Sequence, residues 1–88
     1  MSDPLIHRLR EQIAERDRTI LAAVNARLKL VTELKRHKQD QGIDFVDPEQ
    51  EERLLQTLED ANAGPLSRDG LRQLWHEILA LTKREVDN

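Results

Sequence analysis

The sequence predicts an all-α chain of three helices, the first very long, paired with a second copy in a homodimer. Three observations lead there. Apolar residues recur at helical spacing in three blocks, no run alternates at the two-residue period of a strand, and Pro falls only at block boundaries. Charged residues make up 35% of the 88 and aromatics 2%, which suits exposed-faced helices cored by Leu, Ile and Val. A chain this short forms one domain, residues 1–88, with little core of its own.

The first block opens at Asp3-Pro4, where Asp caps and Pro suits the first helical position. Ile6, Leu9, Ile13, Ile20, Val24, Leu28, Val31 and Leu34 keep helical spacing, and neither Gly nor Pro interrupts before Gly42. This is a helix of about 37 residues, or ~55 Å at 1.5 Å per residue. The segment "DQGID" ends it. A second helix starts at "VDPEQ", with Asp47 as N-cap, Pro48 at the first helical position and Gln50 placed to complete a capping box. Leu54, Leu55 and Leu58 form its apolar stripe, and Gly64-Pro65 stops it. The third opens near Ser67 and carries Leu71, Leu74, Trp75, Ile78 and Leu79.

Length makes the case for a dimer. A compact globule of this size has a radius of gyration near 12 Å, hence a diameter of roughly 30 Å. Two shorter helices cannot cover a ~55 Å rod whose apolar stripe runs its full length. A second copy with a paired long helix is the simplest cover.

Other features narrow the function. Without Cys there are no disulfides, thiolate nucleophiles or cysteine metal sites, which fits a cytoplasmic protein. The opening "MSDPLIHRLREQ" lacks a signal-peptide pattern, and no apolar run approaches the ~20 residues of a membrane span. Net charge is −3, from 14 basic and 17 acidic residues, which disfavours a nucleic-acid partner. His7, His37 and His76 have no metal-ligand spacing, so neither metal nor cofactor is expected.

Several charged residues nevertheless sit on apolar stripes. Arg27, Val31, Leu34 and Lys38 fall within about a 60° arc of one helix face. Glu51 shares the face of Leu54, Leu55 and Leu58, and Arg10 lies between Ile6 and Ile13. Singly, each has a structural explanation: Arg and Lys stems snorkel to water, and an acid favours a helix start. Together they outline a site. Arg27 and Lys38 are ~16 Å apart along the axis, so their side chains can bend over a Val31–Leu34 floor and bracket a small organic anion. Arg10 is about 25 Å from Arg27 and reaches that anion only from an antiparallel partner.

The pattern "LREQIAERDRTIL…NARLKLVTELKRHK…VDPEQEERLL…LWHEIL" resembles the all-helical (AroQ-class) chorismate mutases over residues 5–83. The resemblance implies an entwined homodimer of the chorismate mutase II type, converting chorismate to prephenate in aromatic amino-acid biosynthesis. By position, Arg10 resembles the arginine given across the subunit interface, and Arg27 the one that binds a substrate carboxylate. Lys38 resembles the donor to the ether oxygen, and Glu51 the acceptor from the ring hydroxyl, with Asp47 beside it. Thr82 stands where a small hydroxyl residue meets a carboxylate.

Two positions depart from the family. Val86 stands where a Gln or Glu usually assists the lysine, with Glu85 one residue away, and Gln50 replaces a commonly basic residue. The departures fit an enzyme activated by an aromatic-pathway synthase, one acting on aminodeoxychorismate or isochorismate as mutase or lyase, or one with a rearranged final turn. A non-catalytic helical regulatory dimer is the alternative outside enzymology.

Overall fold

A computed structural model describes residues 3–86. It contains three helices, α1 (Pro4–Asp40), α2 (Pro48–Ala61) and α3 (Arg68–Val86), and no strand among the described residues. The expected all-α architecture is observed.

The ends of α1 follow from local chemistry. The Asp3 side chain accepts from the Leu5 N–H at 2.8 Å, satisfying one donor that the first turn leaves open. At the far end, Gly42 takes φ 70°, a conformation that costs Gly no Cβ clash. This turns the chain so that the Ile43 N–H donates to the Lys38 carbonyl at 2.8 Å. Asp47 caps α2 by accepting from the Gln50 N–H at 3.2 Å. The expected reciprocal half of a capping box is not formed, because the Gln50 side-chain oxygen instead accepts from Arg53 Nε and Nη2, at 3.2 and 3.0 Å. The guanidinium offers two donors in one plane and displaces a single backbone N–H as partner.

Helix α2 ends at Ala61, ahead of Gly64-Pro65. In the connection, the Asn62 side chain accepts from the Gly64 N–H and donates to the Leu66 carbonyl, both at 2.9 Å. Ser67 then caps α3, its Oγ accepting from the Gly70 N–H at 3.0 Å. A Cβ on Gly70 would lie 3.0 Å from that Oγ and 3.1 Å from Leu66 Cδ1, so the cap and the Leu66 packing both favour glycine there.

Helix α3 is the centre of the fold and packs against both other helices, whose backbones make no close approach to each other. Leu71, Thr82 and Val86 on α3 are buried. Glu59, its side chain 8% exposed, clamps α2 to α3 by accepting from Arg72 Nε and pairing with Arg68 Nε at 2.8 Å. Arg72 also reaches Glu52 at 2.9 Å, and its hydrogen bond and charge hold the Glu52 carboxyl below its ordinary pKa. The folded pKa is the lower one, so this pair supports docking above the ordinary glutamate range. The support is lost as pH falls through the depressed value.

The molecule measures 62 × 27 × 17 Å, and its radius of gyration is 17.0 Å. A compact chain of this length would have about 12 Å. The excess is α1, which contains no buried residue. Leu5, Ile6, Leu9, Ile13, Ile20 and Leu21 all stay exposed along its length.

Candidate active site

Where α1, the 41–47 connection, α2 and α3 meet, they enclose a pocket of about 170 Å³. Its floor is Val31, Leu34, Leu54 and Leu79, and its polar lining is Arg27, Lys38, Asp47, Gln50, Glu51, Thr82 and Lys83. Leu34 in the floor and Val46 beside it are about half exposed, so a solute has access.

Arg27 and Lys38 come from the same face of α1, three turns apart, and each is positioned by another element. Arg27 Nη1 donates to Thr82 Oγ1 at 2.7 Å, and that hydroxyl donates in turn to the Ile78 carbonyl at 2.7 Å. Thr82 is 5% exposed, so this relay is shielded from water and fixes one edge of the guanidinium. The hydroxyl proton is therefore committed to Ile78, and Thr82 serves the site by holding Arg27. Lys38 Nζ donates to the Phe45 carbonyl at 3.2 Å, tying the 41–47 connection to α1. An ammonium has three donors, so most of its capacity remains for a ligand.

Glu51 faces these cations from the first turn of α2. Lys83 Nζ lies 2.9 Å from Glu51 Oε1. The other oxygen, Oε2, makes no hydrogen bond to a described residue. Five charged side chains thus converge, three cations and two carboxylates, over an aliphatic floor. Such a site binds a small organic anion by charge and its carbon skeleton by contact.

Of the candidate residues, Arg27, Val31, Leu34, Lys38, Asp47, Glu51 and Thr82 line this one pocket. The fold does not bring Arg10 or Val86 into the lining. Arg10 is exposed on the projecting half of α1, about 25 Å along the rod from Arg27. Val86 is buried one turn past Thr82 on the same face of α3, and its short side chain ends outside the pocket. The Val86 carbonyl accepts from Lys35 Nζ at 3.0 Å, and that ammonium also sits 5.5 Å from the Phe45 ring centroid.

Sequence reasoning misses Lys83. Its signal is the one that exposes Arg27 and Lys38, a cation on an apolar stripe, since Leu79, Thr82, Lys83 and Val86 share one helix face. Phe45 and Val46 give no periodic signal because they lie outside the helices.

The family described as chorismate mutase type II matches residues 9–86. The chain belongs to the type II chorismate mutases. As a member of this family of isomerases, it is similar in structure to chorismate mutase (form II) from Thermus thermophilus, with a TM-score of 0.90 and 30% identity over 94% of each chain. Form I of the Thermus thermophilus enzyme matches with a TM-score of 0.85 and 32% identity, over 88% of this chain and 96% of that one. No curated protein sequence matches the chain. Among the described residues of this family member, no helix is long and apolar enough to cross a membrane, and no group of three or more His, Asp or Glu is placed to hold a metal ion.

Proposed function

We propose that this pocket converts chorismate to prephenate, within aromatic amino-acid biosynthesis, in a homodimer whose partner subunit supplies Arg10. The observation that carries the reading is the placement of Arg27, Lys38 and Glu51 around one aliphatic floor. The reaction is a concerted Claisen rearrangement in which an ether C–O bond breaks as a C–C bond forms. It requires neither proton transfer nor a covalent enzyme intermediate. The protein has two tasks, to hold a flexible dianion compactly and to stabilise charge growing on the ether oxygen.

Each residue has a part. Arg27 holds a carboxylate through the donors that Thr82 does not take. Lys38 points a compact charge at the ether oxygen, where attraction is greatest in the transition state. Glu51 accepts from the ring hydroxyl through Oε2, with Asp47 beside it, and Val31 and Leu34 support the ring. Within one chain Arg27 and Lys38 face a dianion while Asp47 also lines the wall, so a further cation completes the balance. Arg10 of the partner is the candidate. The exposed stripe from Leu5 to Leu21 supports the pairing, because burying each such side chain fully gains roughly 1.5–3 kcal/mol.

The direct test incubates purified protein with chorismate and identifies the product. Prephenate is expected. Pyruvate release would assign a lyase, and no turnover, alone or with an aromatic-pathway synthase added, would leave a non-catalytic dimer. The end of α3 offers a second check. Val86 follows Thr82 by one turn on the same face of α3, so the longer amide of Val86→Gln is expected to reach the ether oxygen and raise kcat by about tenfold, part of what one oxyanion-type donor contributes. Unchanged kcat would place that turn of α3 away from the ether oxygen.

A further inference from the structure

Catalysis of the rearrangement does not by itself require an ion pair at the Glu51 end of the pocket. Lys83 nevertheless sets Nζ 2.9 Å from Glu51 Oε1, with side chains 42% and 28% exposed. A lone carboxylate at this point would attract an ammonium more strongly than a hydroxyl. Paired with Lys83, the couple is neutral overall. It presents one acceptor oxygen that takes a hydrogen bond from a neutral hydroxyl, while the ammonium alongside offsets most of the carboxylate's pull on a second cation.

The other charges act in the same direction. Arg27, Lys38 and Lys83 line the pocket against Asp47 and Glu51, a surplus of one cation. Asp47 Oδ1 is engaged with the Gln50 N–H at 3.2 Å, at the positive end of α2, which offsets its charge.

We infer that Lys83 is a positioning residue that sets specificity: acting through Glu51, it selects a substrate with a ring hydroxyl over one with a ring amine. The inference rests on the reading of this pocket as a mutase site for chorismate. The discriminated analogue is aminodeoxychorismate, whose allylic amine is protonated near neutral pH. Bound in the same pose, that amine brings a positive charge close to Lys83 Nζ. Two like charges about 5 Å apart at a partly exposed site repel strongly enough to change relative binding about tenfold.

The experiment measures kcat/KM and, by calorimetry, Kd for both ligands on the wild type, Lys83→Met and Lys83→Arg. The wild type should favour the hydroxyl ligand by about tenfold or more in both quantities. Lys83→Met should bring the ratio to unity or below, and Lys83→Arg should keep it. Both ligands are compared on the same variant, so a general loss of folded protein cancels from the ratio. An unchanged ratio in Lys83→Met, or a wild type indifferent to the exchange, overturns the inference. Selective binding without turnover of either ligand would sink the mutase reading while upholding the role of Lys83. A wild type that binds neither ligand overturns both.

Discussion

Lys38→Ala is expected to lower kcat for chorismate by about 10²–10³-fold with little change in helical content. The ammonium spends one donor on the Phe45 carbonyl and keeps the rest toward the pocket. Charge on the ether oxygen is small in the bound substrate and grows as the bond breaks, so losing Lys38 affects the transition state more than the ground state. Kinetics separate this from a loosened 41–47 connection, which would weaken ground-state binding and appear mainly in KM. Steady-state rates beside circular dichroism make the check. A fall in kcat of less than about tenfold would remove Lys38 from the reacting centre.

Mixing two inactive variants should restore activity. Arg10→Ala and Arg27→Ala are each expected to lose about 10²–10³-fold in kcat/KM, since each removes a charged donor from every site. In a two-fold dimer that shares Arg10 across the interface, a mixed dimer contains one site with both arginines and one with neither. After denaturation and refolding of an equimolar mixture, half of the dimers are mixed, so activity should recover to about a quarter of wild type. Recovery is impossible if each site draws both arginines from one chain. The geometry makes the prediction demanding: the two residues lie about 25 Å apart on a rigid helix, farther than either side chain spans.

Much of the fold is legible because its signals are local. Asp3-Pro4, Gly42 and Asp47-Pro48 act on backbone groups a few residues away, so they mark helix ends without reference to the rest of the chain. The capping box expected at Gln50 fails for the converse reason. A neighbouring guanidinium competes for the same side chain, and sequence spacing does not rank two available donors.

By itself the sequence determined the α1 stripe of Arg27, Val31, Leu34 and Lys38, because a single helix places residues three and four apart on one face. It also determined that α1 is too long for its own chain to cover, since helix length is proportional to residue count. Tertiary structure alone decided that Thr82 holds Arg27, that the Phe45 carbonyl holds Lys38, and that Lys83 pairs with Glu51. The Thr82 and Lys83 contacts depend on how α3 seats against α1 and α2, and the Phe45 contact on how the chain folds back after Gly42. Those arrangements come from many weak packing contacts at once, and no local spacing encodes them.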